Sequence, residues 1–290
     1  MWLERASGEE LVLYSEPPAF SASDFEVHLN SVHSKDGTLI NYYVLSPNRT
    51  SSTPKVTPVL ITGYGAFGVS FELSYLDPSL GGLSLVPWLK NGGALVIPLS
   101  RGGSERGEEW HQAAIREKRQ RSYDDFIAVA EKLISDGITT SEQLGFFGLS
   151  NRGLLSAVMG TQRPDLFKAI VSDVPLADMI RYPLIGMGQA WVNEYRDPKD
   201  PQMAKILLSY SPFHNIRPDV QYPSFLVTVF TKDDQVGPSH ARKLIARLKQ
   251  AGAQPLFQED QDGRHGVSDF LKNTDLLSKR MAFFFDKLMP

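Results

Sequence analysis

No cysteine occurs anywhere in the 290-residue chain. This absence excludes disulfide frameworks, thiolate zinc sites and cysteine nucleophiles, and it fits a reducing compartment such as the cytoplasm. The chain also lacks a run of about 18 apolar residues, the length that a membrane-spanning helix requires. Its first ten residues carry glutamates where a secretion signal would have an apolar segment. We therefore expect a cytoplasmic protein with no membrane anchor.

The chain also lacks a large excess of either charge, because its formal net charge is only −3. A nucleic-acid-binding domain usually carries a basic patch, and the sequence shows none, so we expect no nucleic-acid partner. The six histidines form no H-x-x-x-H pair, so we expect no metal ion and no cofactor. Apolar residues make up 42% of the chain, which is enough for an ordinary globular core.

Residues 1–50 differ from the remainder of the chain. Apolar arms surround Ser7-Gly8-Glu9 and then Asp36-Gly37, which is typical of two β-hairpins. We therefore predict an N-terminal hairpin extension over residues 1–50, packed on the core, and an α/β domain over residues 51–290. The apolar side chains of the first hairpin must pack on that domain or on another chain, so a homodimer is one expectation. These side chains are Trp2, Leu3, Leu11 and Leu13.

From residue 58 onward, short apolar runs alternate with helical patterns. The runs that we predict as strands are 58–64, 94–100, 144–148, 168–174 and 224–230. The segments that we predict as helices are 83–90, 109–118, 122–136, 151–162, 201–209, 238–251 and 267–288. Because the strands are apolar almost throughout, both faces of their sheet should be covered. The alternation predicts an α/β fold with a mostly parallel central sheet and helices on both faces.

The segment LGFFGLSNRG contains the strongest candidate for a reactive residue. Ser150 comes just after a predicted strand and directly precedes a predicted helix, as the nucleophile of an α/β hydrolase does. A tight turn there would expose the hydroxyl and aim the backbone N–H of Asn151 at a developing oxyanion. Arg152 occupies the position of the last glycine in the usual G-x-S-x-G pattern. The alternative is that Ser150 only caps the helix.

Acid and base candidates follow Ser150 in the chain order that α/β hydrolases use. Asp233 and Asp234 come just after a predicted strand, where sites lie in open α/β sheets. We predict that Asp233 orients the histidine and keep Asp234 as the alternative. His265 lies in a glycine-flanked loop before the last helix, and we predict that it is the base. The other histidines fit this role less well: His28, His33, His111, His214 and His240. Structural roles are expected for the last two.

Several motifs occur in an order that resembles the prolyl oligopeptidase (S9) family of serine peptidases over essentially the whole chain. They are GYGAF (63–67), SRGGSERGEEWH (100–111), GLSNRGLL, IGMGQAW followed by NEY, YSPFHNI and KDDQV. The resemblance implies an α/β-hydrolase fold and a serine hydrolase that works through an acyl-enzyme. It assigns a catalytic triad to Ser150, Asp233 and His265, and it assigns the oxyanion donors to the Tyr64 hydroxyl and the Asn151 N–H.

The resemblance also implies a substrate pocket that holds proline. The positions that match this pocket are Phe67, Asn151, Leu176, Trp191, Tyr195 and Val236. Aromatic faces suit the flat pyrrolidine ring, although ordinary core packing is the alternative for each aromatic residue. Arg101, beside two glycines, is expected to brace loops through its planar fork rather than to join the site.

Three departures from the family pattern bear on the substrate. The family's N-terminal β-propeller is missing, so we expect an excised or naturally truncated catalytic domain. Gln235 stands where family prolyl endopeptidases have an arginine that holds a substrate carbonyl. Arg152 would either bind an acidic group of the substrate or point toward neighbouring helices. We expect a small ester or a short peptide as substrate; the alternatives are a strict proline-specific peptidase and a non-catalytic binding module.

Overall fold

A computed structural model of the chain describes residues 2–4, 10–12, 20–48, 56–71, 85–265 and 274–289. Within these ranges the chain forms a two-stranded antiparallel sheet and an eight-stranded sheet. The strands are β1 (Trp2–Glu4), β2 (Glu10–Val12), β3 (Phe25–His33), β4 (Leu39–Pro47), β5 (Val59–Ile61), β6 (Ala94–Pro98), β7 (Leu144–Leu149), β8 (Ala169–Asp173), β9 (Ser224–Phe230) and β10 (Leu256–Asp260). None of the helices in the described part of the chain has the length and apolar character that a bilayer crossing needs.

The large sheet is mostly parallel. Its strand order is β10-β9-β8-β7-β5-β6-β4-β3. The strands from β10 to β6 pair in parallel, whereas β4 pairs antiparallel with β6 and β3 pairs antiparallel with β4. This arrangement confirms the predicted α/β-hydrolase type of sheet. Because the carboxyl ends of the parallel strands meet at one edge, side chains that follow these strands come together there.

The second predicted hairpin is present and forms the edge of the large sheet. β3 and β4 pair with Val27 opposite Leu45, and Gly37 makes the turn with φ +83°, which glycine adopts without strain. In the first hairpin β1 pairs with β2, while its turn and Leu13 lie outside the described residues. The domain boundary at residue 50 and the homodimer remain predictions.

Two predicted strands end earlier than their apolar runs. Residues 58–64 form a strand only at β5, and residues 94–100 only at β6. The Thr62 N–H still donates to the Val96 carbonyl (3.1 Å), but the chain then turns through Gly65 at φ +61°. The residues beyond these strand ends therefore form loops at the carboxyl edge of the sheet.

Helices cover both faces of the large sheet. They are α1 (Val86–Lys90), α2 (Glu108–Gln112), α3 (Gln120–Ser135), α4 (Asn151–Gln162), α5 (Val192–Tyr195), α6 (Pro201–Tyr210), α7 (Pro212–Asn215), α8 (Ser239–Gln250) and α9 (Thr274–Leu288). One prediction was wrong, because residues 109–118 are not a single helix. Arg116 has φ +56°, and a separate 3-10 turn follows at Arg116–Lys118. Residues 83–84 and 267–273 of two predicted helices lie outside the described residues.

In the central strands, β5 to β9, alternate side chains are buried on opposite faces of the large sheet. On one face, Val59 and Ile61 pack in a cluster with side chains of α3, α4 and α8. On the other face, Leu60 packs in a cluster with Trp88 of α1 and Phe284 of α9. Each of these five side chains is fully buried (0% exposed). The cover on both faces explains why the strands are apolar almost throughout.

Arg101 braces two elements, as expected from its place beside the glycines. Its Nη2 donates to Asp125 Oδ1 of α3 (2.6 Å), and its Nη1 donates to Asp36 Oδ2 in the β3–β4 turn (2.5 Å). The hydrogen bond from Arg101 to Asp36 holds the pKa of the Asp36 carboxyl below its ordinary value. The edge hairpin is therefore tied to α3 by a buried guanidinium.

His240 on α8 is structural, as expected. Its side chain has no exposed surface (0%), and its Nδ1 accepts from the backbone N–H groups of Ala177 (3.2 Å) and Asp178 (3.1 Å). The imidazole is therefore neutral, with its proton on Nε2. Burial lowers the pKa of His240 from 6.5 to about 4.

We expect this burial to make stability depend on pH. Because the pKa is lower in the folded chain, the stabilisation from neutral His240 is complete above about pH 6.5 and is lost as the pH falls toward about 4. His240→Gln keeps an acceptor but does not titrate. Between about pH 7 and pH 4, the wild type should lose about 3 kcal/mol more free energy of unfolding than this variant. Urea denaturation at several pH values measures the difference, and parallel pH profiles would contradict it.

Candidate active site

Ser150 lies in a sharp turn between β7 and α4. Its φ of +64° is in the left-handed region, which is uncommon for a residue other than glycine. The Ser150 N–H donates to the Asp173 carbonyl (2.9 Å), and the Ser150 carbonyl accepts from the Leu154 N–H (3.1 Å). A Cβ on Gly148 would lie 2.2 Å from the Arg152 carbonyl oxygen, so only glycine allows this approach. Ser150 therefore has the predicted strand–turn–helix context.

Three side chains from distant parts of the chain meet beside this turn. His265 Nε2 lies 2.8 Å from Ser150 Oγ, and His265 Nδ1 lies 2.7 Å from Asp233 Oδ2. Because a carboxylate only accepts hydrogen bonds, Nδ1 carries the proton and Nε2 accepts from the Ser150 hydroxyl. In this geometry a histidine can take a proton from a serine.

The backbone fixes the Asp233 carboxylate. Asp233 follows β9, and its Oδ1 accepts from the N–H groups of Gln235 and Val236, both at 3.0 Å. Its other oxygen, Oδ2, faces His265. The neighbouring Asp234 is exposed. The structure therefore brings Asp233, and not the alternative Asp234, to the histidine.

The two candidate oxyanion donors come from elements that are hydrogen-bonded to each other. Asn151 is the first residue of α4, so its N–H has no carbonyl partner within the helix. Tyr64 lies in the loop after β5, and burial raises the pKa of its phenol above the ordinary value. The hydroxyl thus stays protonated and can donate. The Asn151 side-chain amide donates to the Tyr64 carbonyl (2.9 Å).

Five of the predicted substrate-binding residues belong to the hydrophobic core on one face of the sheet. Leu176, Tyr195 and Val236 are buried in a single hydrophobic cluster, and the partly buried Phe67 and Trp191 pack against it. The Phe67 and Tyr195 rings meet edge to face with their centres 5.7 Å apart. Phe67 and Tyr195 are therefore in direct contact, and Phe67 is the less buried of the two.

Gln235 and Arg152, which depart from the family pattern, lie in different surroundings. Gln235 is exposed, and its backbone carbonyl accepts from the Met187 N–H (2.6 Å). Arg152 is only 5% exposed, and its guanidinium carbon lies 5.9 Å from the centre of the Tyr64 ring and 5.6 Å from that of Phe71. Arg152 thus packs on two aromatic rings, and its binding of an acidic substrate group stays a prediction.

A buried ion pair beneath the serine turn was missed by the sequence reasoning. Arg280 Nη1 of α9 lies 3.4 Å from Asp173 Oδ2, and Thr228 Oγ1 donates to Asp173 Oδ1 (2.6 Å). The position of Asp173 at the end of an apolar strand is a signal in the sequence that could have indicated its half of the pair. Its partner Arg280 lies 107 residues away, and no sequence signal indicates that the two meet. Arg119 and Glu194, a second buried pair, were missed as well.

The sheet order, the serine turn and the Ser–His–Asp geometry together define the α/β-hydrolase class. Within this class, the profile of the prolyl oligopeptidase family matches residues 81–290. The chain belongs to the prolyl oligopeptidase family.

Individual relatives agree with this membership. An uncharacterized peptidase of Sinorhizobium fredii is 37% identical over 287 residues, which cover 99% of this chain and 39% of that protein. A prolyl endopeptidase of Dictyostelium discoideum is 34% identical over 293 residues, 98% of this chain and 38% of that protein. The solved structure of a post-proline cleaving enzyme from Rickettsia typhi matches with a TM-score of 0.89 at 33% identity, covering 99% of this chain and 41% of that one. The chain thus spans about two fifths of the length of these relatives.

The positive φ at Ser150 should reduce stability. We expect Ser150→Gly to have a free energy of unfolding about 1 kcal/mol higher than Ser150→Ala, because glycine adopts this conformation without the strain that a Cβ imposes. The two variants are matched, since both lack the hydroxyl. Urea denaturation measures the difference. Equal stability of the two would show that the turn is not strained.

Proposed function

We propose that the chain is the catalytic part of a serine hydrolase that works through an acyl-enzyme. The observation that supports this most directly is the pair of hydrogen bonds that joins Ser150, His265 and Asp233, at 2.8 and 2.7 Å. Membership of the prolyl oligopeptidase family agrees with the proposal.

In the proposed mechanism, Ser150 Oγ attacks the substrate carbonyl carbon while His265 Nε2 takes the hydroxyl proton. Asp233 stabilises the imidazolium that forms. The carbonyl oxygen becomes negative and receives hydrogen bonds from the Tyr64 hydroxyl and the Asn151 N–H. When the tetrahedral intermediate collapses, the bond to the leaving group breaks and His265 gives that group the proton. Water then attacks the acyl ester on Ser150, with His265 again as base, and releases the acid.

We propose a small ester or a short peptide as the substrate. Two relatives are named a prolyl endopeptidase and a post-proline cleaving enzyme, which favours a peptide with proline before the cleaved bond. The partly buried Phe67, which packs edge to face on Tyr195, offers an aromatic face that suits a pyrrolidine ring. Gln235 carries no charge and would hold a substrate carbonyl more weakly than an arginine. Since ester cleavage depends less on such positioning than amide cleavage does, we expect esters to be cleaved as well.

Loss of the Ser150 hydroxyl should remove the activity. Ser150→Ala should lower kcat for p-nitrophenyl butyrate by at least about 10⁴-fold, because no nucleophile remains. Ser156→Ala is the matched control: its hydroxyl, on the same helix, donates to the Gly153 carbonyl (3.0 Å), and this variant should keep wild-type turnover. A fluorophosphonate probe should label the wild type and the control but not Ser150→Ala. Turnover that survives Ser150→Ala would mean that another residue is the nucleophile.

Assays of one wild-type preparation with two compounds distinguish the candidate substrate classes. Hydrolysis of the butyrate ester without cleavage of a Gly-Pro p-nitroanilide would show an esterase, and cleavage of the anilide would show a proline-specific peptidase. A folded protein that neither reacts with the probe nor cleaves either compound would be a binding module and would contradict the proposal.

We also propose that the protein is cytoplasmic, which the lack of cysteine supports. We propose further that it is a homodimer, which the apolar residues of the first hairpin support. Removal of residues 1–15 should halve the molar mass measured by light scattering, because the hairpin would supply the contact between the two chains. An unchanged mass would contradict this role of the hairpin.

A further inference from the structure

A buried arginine joins the two segments that carry the candidate oxyanion donors. Arg119, directly before α3, has no exposed surface (0%). Its Nη1 donates to the Gly65 carbonyl at 2.8 Å, and its Nη2 donates to Asn151 Oδ1 at 3.0 Å. Gly65 directly follows Tyr64, and Asn151 directly follows Ser150. One guanidinium therefore bridges the loop of the phenol and the first residue of α4.

The Asn151 side chain strengthens this bridge. Its Oδ1 also accepts from the Tyr195 hydroxyl (2.6 Å), and its Nδ2 donates to the Tyr64 carbonyl (2.9 Å). The residue is 2% exposed. The side chain thus links three elements within the protein, and any contact with the reacting carbonyl falls to the backbone N–H.

Glu194 extends the network toward Phe67. Its Oε1 accepts from the Phe67 N–H (3.0 Å) and lies 3.4 Å from Arg119 Nη1, while its Oε2 lies 2.9 Å from His111 Nε2. Phe67 has φ +54°, a strained value for a bulky residue that a fixed partner must hold. Glu194 is 5% exposed, so its charge compensates that of the buried arginine.

Stability alone does not account for this network, because a buried ion pair is often no more stabilising than well-packed apolar side chains. The planar fork of an arginine, however, holds two acceptors in a fixed relation, which a lysine cannot do. Donors to an oxyanion must be placed in advance, and an error of about 1 Å can lower the rate about 100-fold. We propose that Arg119, with Glu194 as its counter-charge, is a positioning residue that sets the Tyr64 hydroxyl and the Asn151 N–H at the spacing the oxyanion requires. This inference rests on the proposed function.

Substitution of Arg119 should slow the reaction more than it weakens binding. Arg119→Met should lower kcat for p-nitrophenyl butyrate about 100-fold with KM changed less than about threefold, because the donors act on the transition state. Arg119→Lys keeps the charge but not the fork and should recover only part of the loss. Tyr123→Phe is the matched control: it removes only the hydrogen bond from Arg119 Nε to the Tyr123 hydroxyl (3.3 Å) and should keep wild-type kcat. Rates are expressed per site titrated with fluorophosphonate, so that unfolded protein is not counted as slow enzyme.

A double-mutant cycle with Tyr64→Phe separates this inference from the proposed function. Tyr64→Phe should itself lower kcat about 100-fold, because one donor to the oxyanion is lost. If Arg119 acts by placing that donor, Arg119→Met should lower kcat less than about tenfold further in the Tyr64→Phe background.

Different outcomes refute different claims. A Tyr64→Phe variant with wild-type kcat would refute the proposed oxyanion hole. The positioning role alone would be refuted by wild-type kcat in Arg119→Met, by full recovery in Arg119→Lys, or by losses from Tyr64→Phe and Arg119→Met that simply multiply.

Discussion

The geometry of the site depends on one backbone hydrogen bond, from the Ser150 N–H to the Asp173 carbonyl. It joins the turn after β7 to the end of β8 and holds a serine at φ +64°. Asp173 is in turn held by Thr228 of β9 and by Arg280 of α9. The position of the serine hydroxyl is therefore set by two neighbouring strands and the last helix, and the local sequence supplies only the glycines that permit the close approach.

Buried arginine–carboxylate pairs recur near the carboxyl edge of the parallel strands. The pairs are Arg101–Asp125, Arg119–Glu194 and Arg280–Asp173. Each of their six side chains is at most 5% exposed. Each pair connects elements that are distant in the chain, and each has directional hydrogen bonds or close contacts that apolar packing would not supply. Removal of one partner would leave a buried charge uncompensated, which costs about 3–5 kcal/mol. Such pairs restrict the relative positions of loops that would otherwise have several packed arrangements.

The fold and the serine, aspartate and histidine could be predicted because their signals are local or follow chain order. Near-continuous apolar runs indicate the strands, and the succession of strand, serine and helix indicates Ser150. The order of the later motifs then points to Asp233 and His265. The expected α/β-hydrolase sheet is confirmed, and the side chains of these three residues meet at its carboxyl edge.

Features that arise from tertiary contacts could not be predicted. The pairings of Arg119 and Arg280 depend on which distant carboxylate the fold brings near, and a charged helix sequence does not indicate which of its arginines is buried. The break in the predicted helix 109–118 has a similar origin. Arg116 adopts a positive φ there while its Nε donates to the Asn193 carbonyl (2.9 Å), a contact with a segment that is far away in the chain.

The loop after β9, which contains Asp233, contacts a segment with exposed apolar side chains. The Gln235 carbonyl accepts from the Met187 N–H, and a Cβ on Gly186 would lie 2.1 Å from that same oxygen, so the backbone at 186–187 is docked against the Asp233 loop. The side chains of Leu184 and Met187, by contrast, are 83% and 53% exposed. Evolution can therefore exchange these two side chains while the backbone contact beneath them stays intact. Diversity at this surface is thus compatible with an unchanged position of the Asp233 carboxylate.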